Sequence, residues 1–227
     1  MDGKIRAGIT MRIVKADNYD ETRDAISHDW MAFLGNIGFT PVLIPNSLED
    51  PAAYFSAEKC GILILSNGED VRLGRGPDGK FTGTERDMTE AQLLKYAIDN
   101  GVPVLGVCRG MLFINVFLGG KLTGGVSGHV TPSHTVEIMN CYFKSLYGEF
   151  SLNTNSYHNT GIEKENLAEG LLPWATSGNM VEGFYHGEYP IMGMLWHPER
   201  AGESGAKDME VIRKFMEKAV TVRRERV

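Results

Sequence analysis

Cys108 stands between Gly106 and Gly110 at the abrupt end of an apolar run, Val102-Pro-Val-Leu-Gly-Val-Cys-Arg-Gly110, and a helix-like stretch over 111–118 follows at once. Few folds accept this arrangement. A strand that turns sharply into a helix holds the turn residue in a strained conformation, and flanking glycines remove the β-carbons that would clash there. The turn side chain is then presented at the carboxyl end of a sheet, over a helix N-terminus whose free N–H groups and dipole favour a thiolate. The pattern is a nucleophile elbow carrying sulfur in place of oxygen. A core cysteine between two loop glycines is the competing reading, and the flanking pattern disfavours it.

A second element lies near the other end of the chain, in Ile191-Met-Gly-Met-Leu-Trp-His197-Pro-Glu199-Arg200. An apolar strand runs into His197, and Glu199 stands two residues on. In an extended segment, residues i and i+2 project from one face, so the carboxylate reaches the imidazole. Pro198 narrows the backbone between them and favours an extended His197. A thiol, a histidine base and a carboxylate that orients the base are the parts of a triad for acyl transfer. His197, oriented by Glu199, is expected to keep Cys108 as a thiolate. A histidine at a strand end is by itself more often structural; combined with the Cys108 elbow it reads as catalytic.

The rest of the chain alternates strand and helix signals. Residues 5–11, 40–44 and 61–65 read as strands, the last fully apolar as suits a buried parallel position. Residues 21–34 carry Ile26, Trp30, Phe33 and Leu34 at helical spacing, ending at Gly35 or Gly38. Residues 85–100 read as a helix with Met88, Leu93, Leu94, Ala97 and Ile98 inward, Thr84 as its N-cap, Asp87 near the positive end of its dipole and Gly101 as its stop. Residues 127–189 shift to short β-like pieces and loops, and 204–222 return as a closing helix. The pattern predicts one α/β domain over 1–227. Its doubly wound, mostly parallel sheet carries a small β-rich extension and takes ligands at the strands' carboxyl ends.

Composition agrees. The 227 residues suffice for one large core, and 23 basic against 29 acidic residues give a formal charge of −6. No basic block precedes Arg223-Arg224-Glu225-Arg226, which argues against nucleic acid as the main partner. Cys60, Cys108 and Cys141 lack paired spacing, so neither a disulfide framework nor a zinc site is expected. The N-terminus has no signal peptide, and no apolar stretch reaches bilayer length. A cytoplasmic protein with no membrane partner is the expectation.

Gly-Val-Cys108-Arg-Gly-Met and Trp-His197-Pro-Glu199-Arg, in this order, resemble the class I glutamine amidotransferase fold. They are most similar to its stand-alone γ-glutamyl hydrolase branch, the peptidase C26-like family, and the likeness runs from Ala7 to about Phe215. The resemblance implies a flavodoxin-like sheet and hydrolysis of a small-molecule γ-glutamyl amide through a thioester on Cys108, with no metal and no organic cofactor. It also implies an oxyanion hole. One donor is the backbone N–H of Arg109, directly after the nucleophile, and the other is Gly68 in the loop after the 61–65 strand. The family commonly has two glycines in that loop; here Asn67, a candidate substrate-binding residue, takes the first position and tolerates left-handed backbone angles. Leu112 stands four residues after Cys108, where amidotransferases acting on free glutamine commonly carry a glutamine.

Asn155-Ser156-Tyr157-His158-Asn159 resembles the loop that holds the glutamyl head group in γ-glutamyl hydrolases; a polar turn is the plainer reading. Arg12 ends the first strand on the active-site side, where it would meet an anionic leaving group, although a surface arginine is commoner. Gly128-His129 and Ser133-His134 fall in a lid-like region, and His134 is expected to start a strand rather than to act in catalysis. The stretches 19–30, 155–159 and 182–186 are similar to the branch that releases cytidine diphosphoramidate from its γ-glutamyl amide for capsule phosphoramidate synthesis. A diphosphate leaving group would make Arg12, Lys15 and Arg72 the candidate cations. Two other readings stay open. One is a γ-glutamyl amine or peptide hydrolase, acting for instance on γ-glutamyl-aminobutyrate; the other is a glutaminase subunit that passes ammonia to a synthase. The intact triad argues against a silent binding protein on this fold. A homodimer is compatible with the resemblance.

Overall fold

Residues 4–125, 133–157, 159–200 and 202–225 are described by the computed structural model. Strand β1 (Arg6–Thr10) leads into a hairpin of β2 (Arg12–Lys15) and β3 (Thr22–Ala25), followed by α1 (His28–Asn36), β4 (Thr40–Ile44), α2 (Pro51–Ala57) and β5 (Ile62–Leu65). The short pair β6 (Gly74–Arg75) and β7 (Phe81–Thr82) precedes α3 (Glu85–Asp99), β8 (Val104–Val107) and α4 (Arg109–Phe117). Next come β9 (Thr123–Gly124), β10 (His134–Ile138), α5 (Cys141–Tyr147), β11 (Ser151–Thr154) and β12 (Thr160–Gly161). The chain then forms β13 (Leu171–Ser177), β14 (Met180–His186), β15 (Ile191–Met194) and α6 (Gly205–Glu225).

Among the described residues, nine strands form one sheet in the order β11-β10-β13-β14-β15-β8-β5-β1-β4. From β15 to β4 the pairing is parallel, and from β15 back to β11 it is antiparallel. The residues of β5, β8 and β15 are all buried, because helices cover both faces of the parallel half. Side-chain alternation separates the faces: Ile62 and Ile64 pack with α1, α5 and α6, whereas Leu63 and Leu65 pack with α2, α3 and α4. This is the doubly wound arrangement that the alternating pattern predicts.

One expectation needs correction. Residues 21–34 are not one helix: Thr22–Ala25 pairs with Arg12–Lys15, with Arg12 opposite Ala25, and only His28–Asn36 is helical. The helical spacing of Trp30, Phe33 and Leu34 is real but begins after Ser27, and the Asp- and Asn-rich 16–21 segment closes the hairpin. The β-rich extension is formed by β10, β11, β13 and β14, which continue the sheet as its antiparallel half. The reading of α3 agrees with the structure. Thr84 Oγ1 accepts the Asp87 N–H at 3.1 Å while Asp87 Oδ2 accepts the Thr84 N–H at 2.9 Å, a reciprocal capping box.

Candidate active site

The elbow is built as its glycines require. Cys108 has φ 51° and ψ −106°, a conformation that side chains rarely adopt. A β-carbon on Gly110 would lie 2.0 Å from the Leu65 carbonyl oxygen, and one on Gly106 would lie 2.8 Å from the Gly110 backbone. Strand β5, strand β8 and helix α4 therefore meet at a distance only glycine allows. The Cys108 N–H donates to Met194 O at 2.8 Å, tying the elbow to β15.

The half-buried thiol is pushed up to about 11, chiefly by loss of hydration and further by the nearby Glu199 carboxylate. The Arg109 N–H, bonded to the sulfur, and the Arg200 and Arg109 charges oppose this without overcoming it. This shift runs against the resting thiolate expected from the sequence.

Met194 lies opposite Val107 in the parallel β15–β8 pair, so the chain beyond Met194 emerges at the same sheet end as Cys108. It bends there instead of continuing as a strand, and Arg200 N–H closes the turn onto His197 O at 3.2 Å. His197 Nδ1 and Glu199 Oε1 are 2.8 Å apart and both residues are buried. Their contact is thus made by a turn, not by the same-face geometry of an extended segment. A carboxylate can only accept, so Nδ1 carries the hydrogen and Nε2 is left as the basic nitrogen. Glu199 Oε1 also lies 3.7 Å from Arg200 Nε.

In the polar loop, Asn155 is bonded to the His197 backbone. Asn155 Nδ2 donates to His197 O at 3.0 Å, and Asn155 Oδ1 accepts the His197 N–H at 2.9 Å. Each polar atom makes one bond that clamps the histidine backbone. Ser156 is buried, whereas Tyr157 is exposed, with its ring edge-on to the His197 ring at 5.6 Å and under the Arg200 guanidinium at 4.7 Å. His158 and His129 lie outside the described residues. His134 opens β10, as expected.

Asn67 is buried and its Oδ1 accepts from Trp30 Nε1 at 2.9 Å, so this oxygen serves the fold rather than a ligand. Gly68 beside it is exposed. Arg12 lies against this loop: a β-carbon on Gly68 would be 3.3 Å from Arg12 Cβ. Arg12 is half-buried, and its guanidinium has no hydrogen-bond or ion-pair partner among the described residues. Lys15 is occupied on the hairpin by Asp20 at 3.2 Å and Thr22 at 2.7 Å, and Arg72 is exposed. Leu112 packs into the apolar cluster under α4.

Sequence reasoning missed a buried charge network beneath the site. Arg86, Asp87, Glu90 and Arg109 are all nearly or fully inaccessible. Glu90 Oε1 accepts from Arg86 Nε at 2.9 Å and from Thr10 Oγ1 at 2.7 Å, Glu90 Oε2 pairs with Arg109 Nη1, and Asp87 Oδ1 accepts from Arg109 Nη2 at 2.6 Å. Burial alone would raise the Glu90 carboxyl, but the Arg109 and Arg86 charges and the Thr10 hydroxyl hold it below its ordinary value. The signal was in the sequence. Arg86 and Glu90 share the helical spacing of Leu93, Leu94 and Ala97, which puts charges on the core-facing stripe of α3.

A strained cysteine elbow beside an oriented His–Glu pair accords with the family comparison, in which Peptidase C26 matches residues 7–199. The chain belongs to the peptidase C26 family. Among curated relatives, the gamma-glutamyl-CDP-amidate hydrolase of Campylobacter jejuni is 28% identical over 92% of this chain and 96% of its own length. Anthranilate synthase component 2 of Thermus thermophilus is 27% identical over 83% of this chain and 84% of its own. Among solved structures, a putative GMP synthase subunit from Thermoplasma acidophilum superposes with a TM-score of 0.71 at 19% identity, covering 98% of both chains. A glutamine amidotransferase of Thermotoga maritima gives 0.61 at 18% identity over 95% and 85%. The fold is that of class I glutamine amidotransferases, and this peptidase C26 member is a hydrolase of that family. Among the described residues no helix is long and apolar enough to cross a membrane, and no three metal-ligating side chains are grouped to hold an ion.

Proposed function

We propose that this chain hydrolyses the γ-glutamyl amide of cytidine diphosphoramidate, releasing glutamate and the phosphoramidate, with Cys108 as nucleophile, His197 as base and Glu199 as its orienter. The observation that carries the chemistry is the 2.8 Å contact between His197 Nδ1 and Glu199 Oε1, on a turn that leaves the sheet beside Cys108. As Cys108 Sγ attacks the γ-carbonyl, its proton passes to His197 Nε2. The Arg109 and Gly68 N–H groups receive the oxyanion, each such donor contributing roughly 3–4 kcal/mol to the transition state. The tetrahedral intermediate collapses to a thioester as His197 returns the proton to the departing nitrogen. Water, deprotonated by the same imidazole, then hydrolyses the thioester and frees glutamate.

The leaving group is argued from two facts. The Campylobacter jejuni relative aligns over nearly the whole chain, and Arg12, whose Cβ lies against the Gly68 loop, has no hydrogen-bond or ion-pair partner among the described residues and could offer a diphosphate a fork of donors. We further propose that residues 1–227 act as one catalytic unit on this small molecule, in the cytoplasm, as a monomer or homodimer and without a cofactor. The relative that is a synthase component supports a second reading, a glutaminase subunit that works with a partner.

Glutamate release from γ-glutamyl-CDP-amidate, γ-glutamyl-aminobutyrate and free glutamine, each beside Cys108→Ala, separates these readings. Cys108-dependent turnover of the nucleotide substrate alone is the expected result. Preference for γ-glutamyl-aminobutyrate would assign a general γ-glutamyl amine hydrolase. Preference for glutamine, with activity only beside a synthase, would assign the glutaminase reading.

A further inference from the structure

Arg86 is fully buried in α3 and uses its whole guanidinium on one loop and one carboxylate. Nη2 donates to Ser66 O at 2.8 Å and to Ser66 Oγ at 3.1 Å, and both terminal nitrogens donate to Asn67 O, at 3.2 and 3.3 Å. Nη1 also reaches Glu69 Oε2 at 2.9 Å, so the residues before and after Gly68 are both held. Asn67 O and the Gly68 N–H belong to one peptide unit, which is planar and trans, so they point in opposite directions. Holding the oxygen inward on Arg86 fixes the N–H outward, on the exposed side of the loop. Rotating that peptide would break two charge-assisted bonds and turn an N–H toward a buried cation.

Glu90 connects this hold to the other oxyanion donor. One of its oxygens takes Arg86 and the other takes Arg109, whose own N–H bonds to Cys108 Sγ. Ser66 is fastened a third way, with Oγ donating to Thr10 O at 2.7 Å. A β-carbon on Gly68 would lie 2.3 Å from Arg86 Nη1, so the loop is packed onto the guanidinium with no spare space.

We propose that Arg86, seated on Glu90, is a positioning residue that locks the Asn67–Gly68 peptide with its N–H presented, so that the oxyanion hole is formed in the isolated chain and needs no activating partner. This deepens the γ-glutamyl hydrolase reading and rests on it. Arg86→Lys keeps the charge but loses the fork that spans two carbonyl groups. It should lower kcat by about 100- to 1,000-fold, the effect of losing one oxyanion donor, while KM stays within threefold. The alkylation rate of Cys108 by iodoacetamide, which uses no oxyanion hole, should be unchanged. Gly68→Ala pushes on the same guanidinium from an exposed loop and should give a loss of the same kind if Arg86→Lys does not fold. The double variant should lose no more than the worse single one, since both act on one peptide.

Substrate turnover and labelling by the glutamine analogue 6-diazo-5-oxonorleucine are measured on the wild-type chain alone. Turnover alone, with the losses above, supports the lock. A kcat within threefold of wild type in folded Arg86→Lys, or in Gly68→Ala should Arg86→Lys not fold, overturns it, as does a parallel fall in alkylation. Labelling of Cys108 without turnover in the isolated chain also overturns it and leaves the γ-glutamyl reading standing. Neither labelling nor turnover removes both.

Discussion

Burial raises the Cys108 thiol to about 11, so the attack has to be coupled to transfer of its proton. Alkylation of Cys108 by iodoacetamide, followed by peptide mass mapping, should therefore be slow at pH 7 and still be rising above pH 9. A rate that levels off by pH 7.5 would mean a resting thiolate. Glu199→Gln keeps the side chain's size but offers Nδ1 a neutral partner that can present the wrong tautomer. It should cost about 10²- to 10⁴-fold in kcat with KM little changed. Asn155→Ala removes both bonds that hold the His197 backbone, and steady-state kinetics should show a fall in kcat rather than a rise in KM. A substrate-binding role for Asn155 would give the opposite split. At this scale the sequence shows which residue types carry chemistry. Whether Asn155 faces a ligand or the His197 backbone depends on a contact 42 residues away, which no local pattern records.

Helix α3 was legible because its cap, its stop and its apolar stripe all lie within its own span. Thr84→Ala breaks the capping box and should lower stability by about 1 kcal/mol in urea unfolding, with a slope unchanged from wild type. Gly110→Ala belongs to the meeting of β5, β8 and α4. Its β-carbon would sit 2.0 Å from a backbone oxygen that cannot turn aside, so a loss of about 3 kcal/mol or no soluble protein is expected. The hairpin β2–β3 was misread for a physical reason. Helical spacing of apolar residues locates a helix but not its first turn, and the pairing of Arg12 with Ala25 joins two segments that are each weak strand signals alone.

For the molecule as a whole, Asp208 ties three elements together. Its carboxylate accepts from Tyr147 on α5 at 2.7 Å, from Trp196 after β15 at 3.0 Å and from Ser204 before α6 at 2.7 Å. Burial nevertheless raises its carboxyl from 3.8 to about 6. The folded state then binds this proton more tightly than the unfolded chain. Its stabilising effect is complete below pH 3.8 and is lost as the pH rises through 6, about 3 kcal/mol over that window. Urea unfolding from pH 4 to 7.5 should show this decline in the wild type relative to Asp208→Asn; parallel curves would exclude it.

The sequence by itself determined the strained elbow at Cys108, the pairing of His197 with Glu199 and the two-faced parallel sheet. Each follows from requirements that a few neighbouring residues express: glycine where a β-carbon cannot fit, a carboxylate within reach of an imidazole, apolar strands covered on both sides. Only the tertiary structure decided the burial that raises the Cys108 thiol, the bonding of Asn155 and Asn67 to distant segments, and the burial of Arg86 on Glu90. Those depend on hydration lost and hydrogen bonds formed between segments far apart in the sequence.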